Sequence, residues 1–176
     1  MGPARTAPPS TSQAAAWPDA VPTQLGLALA ARGLKLVTAE SCTGGLIAGA
    51  CTSVAGSSDW FERGFVTYSN AAKTELLGVP GELIERHGAV SREVALAMAM
   101  GALQHSRGQF AISVTGIAGP GGGSEAKPVG TVWFGFARTA GQVHTECVRF
   151  KGDRSQVRSS SVAHAMTRAL AIVSAD

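Results

Sequence analysis

Two periodicities of apolar residues alternate along this 176-residue chain. Short apolar and β-branched runs predict strands, and longer segments with apolar residues every three or four positions predict helices. The predicted strands are residues 34–38, 64–68, 110–115, 129–137 and 143–150. The predicted helices lie between residues 19 and 33, at 44–53, 71–77, 80–87 and 91–105, and from 153 onwards. Helices and strands alternate early and a hairpin comes late, which predicts an α/β fold, a single three-layer α/β/α domain with a mixed, mostly parallel sheet.

Polar residues at the predicted helix starts support this division. Asp19, Asn70 and Ser91 each precede a helical segment, and their side chains are typical of N-caps because they accept from free backbone N–H groups. Asp153 and Gln156 have the spacing of a capping box, in which each side chain bonds the backbone of the other residue.

Composition fits one globular domain. With 45% apolar and 15% charged residues, a chain of 176 residues is long enough to bury a core. Residues 1–18 contain Pro3, Pro8 and Pro9 without an apolar stretch, so we expect a disordered tail there and not a secretory signal. The folded domain is expected over residues 19–176.

Charge and cysteine content exclude several functional classes. The net charge is only +3 and the chain has no block of consecutive Lys or Arg, so no nucleic-acid partner is predicted. No apolar run approaches the roughly 18 residues that cross a membrane, so no membrane partner is predicted either. The three cysteines lack CxxC spacing and indicate reduced thiols, hence a cytoplasmic protein.

The candidate chemistry begins where the first predicted strand ends. Residues 39–45 (Ala-Glu-Ser-Cys-Thr-Gly-Gly) follow an apolar run and precede a small-residue helix. Free backbone N–H groups and the helix dipole favour negative charge at such a helix start. Ser41 is therefore the candidate nucleophile, and the N–H groups of Cys42, Thr43 and Gly44 form the candidate oxyanion site.

A second strand-to-helix segment supplies the candidate base. Residues 67–73 (Thr-Tyr-Ser-Asn-Ala-Ala-Lys) would open on the same edge of a parallel sheet as Ser41. Burial would lower the pKa of Lys73, so that its amine accepts the Ser41 proton. Tyr68 is expected to relay that proton or to orient the amine. A Ser-His-Asp triad is poorly supported, because none of the four histidines falls in a predicted strand-end loop.

Five segments together resemble the CinA C-terminal domain family. They are residues 40–45, 67–73, 88–91 (Gly-Ala-Val-Ser), 113–120 (Ser-Val-Thr-Gly-Ile-Ala-Gly-Pro) and 150–154 (Phe-Lys-Gly-Asp-Arg). The resemblance extends over about residues 20–174, with the segments in the family's order. Stand-alone members of this family are similar to nicotinamide mononucleotide amidases.

This resemblance implies hydrolysis of the carboxamide of nicotinamide mononucleotide to nicotinic acid mononucleotide and ammonia. It also implies a serine nucleophile with lysine and tyrosine partners, which correspond to Ser41, Lys73 and Tyr68. The expected partner is a small nucleotide substrate, and neither a metal nor another cofactor is expected. Longer family members carry a molybdopterin-binding-like domain, whose activity is not expected here.

The substrate's phosphate and ribose require binding residues. Residues 43–45 at a helix start form one candidate phosphate cradle, and residues 115–116 form another. Arg154 and Arg158 lie one helical turn apart and are expected to present a cationic pair. Glu40 would bond ribose or orient Ser41, with a buried, backbone-bonded carboxylate as the alternative. The full set of candidate substrate-binding residues is Glu40, Cys42, Thr43, Gly44, Gly45, Asn70, Thr115, Gly116, Arg154 and Arg158.

A glycine-rich segment follows the third predicted strand. Six of the 22 glycines fall between Gly116 and Gly130, too many for one tight turn. Long loops in compact domains are often functional, so residues 116–124 are predicted to act either as a lid or as a phosphate clamp.

Two alternatives to the serine amidase remain open. Cys42 at a helix N-terminus is expected to have a lowered pKa, which makes a cysteine hydrolase conceivable. The other alternative is a catalytically weak nucleotide-binding or regulatory domain of the same fold. Phosphotransfer of the P-loop type is excluded, because the motif G-x-x-x-x-G-K-[ST] does not occur.

The helix at residues 91–105 carries a close-packed stripe of small and Met side chains. Val94, Ala97, Met98 and Gly101 share one face of it. Such a stripe is typical of a core or a dimer seam. Together with the family resemblance it favours a homodimer.

Overall fold

The computed structural model describes residues 20–175 of the chain. The strands are β1 (Leu36–Glu40), β2 (Phe61–Val66), β3 (Phe110–Gly116), β4 (Thr131–Arg138) and β5 (Val143–Arg149). The helices are α1 (Ala20–Ala31), α2 (Leu46–Thr52), α3 (Asn70–Leu77), α4 (Gly81–His87), α5 (Arg92–Gln104) and α6 (Arg154–Ser174). The predicted tail at residues 1–18 and the predicted N-cap Asp19 lie outside the described residues.

The strands form one sheet in the order β2-β1-β3-β4-β5. β1 pairs in parallel with β2 and β3, whereas β4 is antiparallel to both β3 and β5. Four of the five strands therefore point the same way, and the predicted mixed sheet is confirmed. The carboxyl ends of β1, β2 and β3 open on a common edge.

Helices cover both faces of the sheet, as predicted. α1, α2 and α6 pack on one face, and α3, α4 and α5 pack on the other. Because neighbouring side chains of a strand point to opposite faces, β1 contributes to two separate cores. Leu36 packs with the first set of helices, whereas Val37 and Ala39 pack with the second.

Strands β1 and β2 are displaced from their predicted positions. β1 begins two residues later than residue 34 and extends to Glu40, which the sequence pattern had assigned to a turn. A carboxylate is accommodated in this buried strand because it bonds the start of α2. β2 spans Phe61–Val66 and not residues 64–68, since Glu62 and Arg63 are tolerated on an edge strand.

Three of the predicted helix caps can be compared with the structure. Ser91 accepts from the Val94 N–H, and Asp153 and Gln156 form the predicted capping box. The prediction that Asn70 caps α3 is wrong. Ser69 is the N-cap: its backbone is extended, and its hydroxyl accepts from the Ala72 N–H at 3.0 Å, whereas Asn70 is already helical.

The small residues of α5 permit close packing inside the chain. A Cβ on Gly101 would collide with the Leu77 carbonyl at the end of α3, and a Cβ on Gly135 of β4 would lie 2.6 Å from the Ala95 carbonyl oxygen. Val94 and Met98 are fully buried in the same region. The stripe is therefore core, and this face of α5 is not available as a dimer seam.

Within residues 20–175, no helix combines the length and the apolar character that crossing a membrane requires.

Candidate active site

A cleft at the carboxyl ends of β1 and β3 collects most of the predicted site residues. Ser41, Lys73, Thr115 and Arg154 all line it. Further predicted residues in its wall are Cys42, Tyr68, Asn70 and Gly116. The two strand-to-helix segments meet here because β1 and β2 are parallel neighbours, with Glu40 paired to Val66.

Lys73 contacts Ser41 directly. Its Nζ lies 3.1 Å from Ser41 Oγ, 2.9 Å from the Thr67 carbonyl oxygen and 3.2 Å from the Tyr68 carbonyl oxygen. The Lys73 side chain is buried, and this burial lowers its pKa from the ordinary 10.5 because desolvation disfavours the ammonium form. In the neutral amine, two N–H groups donate to the carbonyls and the lone pair faces Ser41. This arrangement supports the predicted pairing of Ser41 with Lys73 as its base.

Tyr68 does not bridge Ser41 and Lys73. The Tyr68 side chain is 62% exposed, and its hydroxyl accepts from Arg154 Nη2 at 3.2 Å. Tyr68 contacts the Lys73 amine only through its backbone carbonyl. In this geometry the Tyr68 phenol does not relay a proton between Ser41 and Lys73. Tyr68 orients the Lys73 amine through its main-chain carbonyl.

Glu40 is part of the scaffold and not of the cleft. Its carboxylate is fully buried and accepts from the N–H groups of Gly45, Ile47 and Ala48 at 2.8–3.0 Å, and from Thr38 Oγ1 at 3.2 Å. These contacts cap α2 and neutralise the positive end of its dipole. The prediction that Glu40 binds ribose is wrong, and its alternative, a buried backbone-bonded carboxylate, is confirmed.

Two of the three N–H groups of the phosphate cradle predicted at residues 43–45 are already bonded within the protein. The Gly45 N–H donates to Glu40, and the Gly44 N–H donates to the Ser41 carbonyl at 3.1 Å. The anion at the start of α2 is thus the protein's own carboxylate. Within residues 20–175, the N–H groups of Cys42 and Thr43 donate to no backbone or side-chain oxygen. Of these two residues, Cys42 also lines the cleft beside Ser41.

Arg154 and Arg158, the predicted cationic pair, contact different parts of the protein. Arg154 reaches the cleft, where Nη1 donates to the Gly119 carbonyl at 3.0 Å and Nη2 donates to Tyr68. Arg158 is outside the cleft wall. Its Nε donates to the Cys42 carbonyl at 3.1 Å and its Nη2 to the Thr43 carbonyl at 3.0 Å. Arg158 therefore faces the main chain of residues 42–43 and not the cleft, and its binding of phosphate stays a prediction.

Thr115 and Gly116, the other predicted cradle, do lie in the cleft. The Thr115 hydroxyl donates to the Ala89 carbonyl at 2.8 Å and keeps its lone pairs for a ligand. Two side-chain hydrogen bonds connect the glycine-rich segment at residues 116–130 to the rest of the domain. Gly119 accepts from Arg154, and Lys127 donates to the His87 carbonyl at 2.7 Å.

Cys42 is not an activated thiol. Burial raises its pKa to about 11, and this desolvation outweighs the favourable interaction with the positive charge of Arg158. The prediction of a lowered pKa is wrong. It considered only the helix start, whose dipole is already neutralised by the Glu40 carboxylate. The arrangement favours Ser41 over Cys42 as the nucleophile.

None of the histidines lies in the cleft. His87 Nδ1 is 3.6 Å from the Glu93 carboxylate, and His105 Nδ1 contacts the Gly101 carbonyl. His144 and His164 both contact the Glu146 carboxylate on the far part of the sheet. A Ser-His-Asp triad around Ser41 is therefore excluded. Across residues 20–175, no three His, Cys, Asp or Glu side chains cluster closely enough to hold a metal ion.

Sequence comparison places nearly all of the described residues in one family. The profile of the CinA C-terminal domain matches residues 19–173. The chain belongs to the CinA C-terminal domain family.

Individual proteins and solved structures are also similar to most of this chain. The Escherichia coli K12 protein named nicotinamide-nucleotide amidohydrolase PncC is 56% identical over 143 residues, which cover 81% of this chain and 87% of that protein. The protein of the same name from Enterobacter agglomerans is 56% identical over 147 residues, with coverages of 84% and 90%. The crystal structure of competence/damage inducible protein CihA from Agrobacterium tumefaciens aligns with a TM-score of 0.85 at 47% identity, covering 87% of this chain and 93% of that one.

The CinA-family cleft has an apolar wall that sequence reasoning missed. Ala89, Val90 and Ala118 line it between the polar residues. Their sequence signal is weak, because small apolar residues next to a helix cap or a glycine-rich loop are common everywhere. Their position follows from the contact of Thr115 with the Ala89 carbonyl, which brings residues 88–91 beside β3.

Proposed function

We propose that this chain hydrolyses the carboxamide of nicotinamide mononucleotide, giving nicotinic acid mononucleotide and ammonia. The observation that carries the proposal is the 3.1 Å contact between the buried Lys73 amine and the Ser41 hydroxyl in an open cleft. Two relatives at 56% identity are named nicotinamide-nucleotide amidohydrolases, which supports the choice of substrate.

The first half of the reaction forms an ester on Ser41. The neutral Lys73 amine takes the hydroxyl proton while Ser41 Oγ attacks the carboxamide carbon. The N–H groups of Cys42 and Thr43 bind the tetrahedral oxyanion, and each such donor contributes roughly 3–4 kcal/mol. The Lys73 ammonium then gives its proton to the leaving nitrogen, so that ammonia departs and the acyl-enzyme remains.

The second half releases the carboxylate. Lys73, neutral again, takes a proton from water as the water oxygen attacks the ester carbon. The same two N–H groups bind the second oxyanion. Lys73 returns the proton to Ser41 Oγ as the ester bond breaks, which restores the hydroxyl and frees nicotinic acid mononucleotide. Every proton transfer uses one nitrogen atom, which explains why Lys73 is held by two carbonyls beside Ser41.

The remaining cleft residues bind the substrate in this proposal. Arg154 uses two of its nitrogens on Gly119 and Tyr68, and its other N–H groups are free for the phosphate. The pyridine ring packs against the apolar wall that includes Val90 and Ala118. Thr115 accepts or donates to a polar group of the substrate. Tyr68 acts through Arg154, whose guanidinium it helps to place.

Ammonia release tests this function. Wild type, Ser41→Ala and Cys42→Ala are mixed with nicotinamide mononucleotide, and free nicotinamide serves as the substrate without ribose and phosphate. We expect turnover of the mononucleotide only, a loss of at least about 10³-fold in Ser41→Ala, and substantial activity in Cys42→Ala. Loss in Cys42→Ala with retention in Ser41→Ala would identify a cysteine hydrolase. Binding of the mononucleotide by folded wild type without ammonia release would identify a regulatory domain instead.

We also propose that the enzyme is a cytoplasmic homodimer. Each of its three cysteines is free, including the exposed Cys147, which fits a reducing compartment. The family resemblance favours the dimer. Light scattering that gives the monomer mass over a wide concentration range would contradict it.

A further inference from the structure

Arg158 lies outside the cleft and contacts the turn at residues 41–44, which is called the nucleophile turn below because it carries Ser41. It comes from the first turns of α6 and spans more than a hundred residues of sequence to reach two consecutive carbonyl oxygens, those of Cys42 and Thr43. The guanidinium also lies against Gly44, where a Cβ would be 3.5 Å from Nη2. In the proposed reaction Arg158 is neither the nucleophile, nor the base, nor a substrate-binding residue, so this contact has another role.

The geometry of the peptide unit connects the contact to catalysis. A peptide is planar and trans, so its N–H points opposite to its C=O. The Cys42 carbonyl, which accepts from Arg158 Nε, belongs to the same peptide as the Thr43 N–H. The Ser41 carbonyl, which accepts from the Gly44 N–H, belongs to the same peptide as the Cys42 N–H. The peptides that carry the Cys42 and Thr43 N–H groups therefore each have a carbonyl that is hydrogen-bonded on the opposite side: one by Gly44 and the other by Arg158.

The third peptide of the turn is held as well. Arg158 Nη2 bonds the Thr43 carbonyl, and the N–H of that peptide is the Gly44 N–H that bonds the Ser41 carbonyl. One planar guanidinium thus fixes two consecutive peptides in the fork geometry that is specific to arginine. A cation on a carbonyl also polarises the peptide and strengthens its N–H as a donor.

We propose that Arg158 is a positioning residue for the oxyanion site: its fork holds the Cys42 and Thr43 carbonyls so that the N–H groups of Cys42 and Thr43 face the reacting carbonyl oxygen. This role rests on the proposed amidohydrolase function. Arg158 touches no reacting atom and acts through the turn. Arg154, four residues earlier on α6, binds substrate, so the two arginines have separable kinetic effects.

Kinetics of Arg158 variants with nicotinamide mononucleotide test the role. We expect Arg158→Ala to lower kcat on the order of 10²-fold, the loss typical of one oxyanion donor, with little change in KM. Added guanidinium ion is expected to restore part of the kcat of Arg158→Ala. Arg158→Lys is expected to remain impaired, because one ammonium does not bond two carbonyls in the same plane. Arg168→Ala is the matched control on the same helix; Arg168 bonds Glu146 at 3.1 Å, and its loss leaves kcat unchanged.

Three outcomes would overturn the role. They are wild-type kcat in Arg158→Ala, full activity in Arg158→Lys, and an activity loss in Arg158→Ala that guanidinium does not restore although circular dichroism shows a folded protein. If wild type itself releases no ammonia, the proposed function fails, and the geometry is tested separately by the backbone carbonyl chemical shifts of Cys42 and Thr43. We expect both shifts to change in Arg158→Ala and not in Arg168→Ala; unchanged shifts would reject the positioning role.

Discussion

Burial sets the chemical state of the two titratable side chains beside Ser41. Desolvation disfavours the charged form of either group, so it lowers the pKa of the Lys73 amine and raises that of the Cys42 thiol to about 11. The same physical effect favours the neutral form of both groups, which is the proton-accepting form of the amine and the unreactive form of the thiol. In the proposed reaction Lys73 is the base for Ser41, and the protonated Cys42 thiol does not compete as a nucleophile.

The lowered pKa of Lys73 predicts how stability varies with pH. Between the lowered value and the ordinary 10.5, the unfolded chain binds more protons than the folded protein. The free energy of unfolding of wild type should therefore rise with pH across that window relative to Lys73→Met. Urea unfolding of both proteins from neutral pH to 10.5 measures the difference.

Lys151→Met is the control for this measurement, because it makes the same substitution at an exposed position. Parallel curves for wild type and Lys73→Met would contradict the lowered pKa. The same ionisation predicts that kcat/KM of wild type rises with pH as Lys73 loses its proton.

The junction of β1 and α2 depends on a carboxylate placed inside the protein. Ser41 stands between the last residue of the strand and the helix, and Glu40 bonds the first N–H groups of that helix. The charge at the end of this buried strand is thus matched by three N–H donors and the Thr38 hydroxyl. The turn that carries Ser41 has a defined shape because strand and helix are joined through this side chain as well as through the backbone.

Replacing Glu40 by Gln is expected to weaken the junction. The amide keeps one acceptor oxygen and places an NH₂ group against N–H donors, so the free energy of unfolding should fall by about 2 kcal/mol. Chemical denaturation measures this change. Glu85→Gln makes the same substitution at an exposed position of α4 and should have little effect. Equal effects of the two variants would show that the Glu40 contacts contribute no more than a surface charge.

Two glycines within helices predict opposite responses to the same substitution. Gly101→Ala would place a methyl group against the Leu77 carbonyl where α5 meets α3, and should destabilise the protein by about 1–3 kcal/mol. Gly49→Ala in α2 meets nothing within 4 Å and should stabilise it by about 0.5–1 kcal/mol, because alanine favours helix. Thermal unfolding of both variants checks the signs. A stable Gly101→Ala protein would contradict the close packing of α5 on α3.

The path of the whole chain explains why distant segments share one cleft. β1 lies between β2 and β3, so the segments after these three parallel strands open on the same edge. The β4–β5 hairpin then returns the chain, and α6 begins where it meets both the glycine-rich segment and the nucleophile turn. Because the last helix packs against α2 and α1, Arg154 reaches the cleft and Arg158 reaches the turn after Ser41.

The N-terminal residues predict a test at the level of the whole chain. Residues 1–18 are expected from their sequence to be a tail outside the folded domain. Deletion of residues 1–16 should therefore leave kcat and KM for nicotinamide mononucleotide unchanged. Steady-state ammonia release from the shortened protein measures both constants, and a marked fall in kcat/KM would mean that the tail contributes to the site.

Local sequence was sufficient to predict that Ser41 and Lys73 lie together, but not to predict the contacts of their neighbours. A serine between a strand and a glycine-rich helix start, and a lysine in a second such segment, can be recognised because the parallel sheet brings both to one edge. The roles of Glu40, Cys42 and Arg158 could not be predicted in this way. Each depends on which groups surround the side chain: three amide donors, an apolar environment, and two carbonyls.

The sequence by itself determined the alternation of helices and strands, the mixed sheet, most of the helix ends and the family. These properties depend on periodicity, capping and short motifs, which act over a few residues. Only the tertiary structure decided that the Tyr68 phenol bonds Arg154 and not the Lys73 amine, and that Arg154 faces the cleft while Arg158 bonds the turn after Ser41. Hydrogen bonding and desolvation act through space, so a side chain's task is set by neighbours that the fold brings from far along the chain.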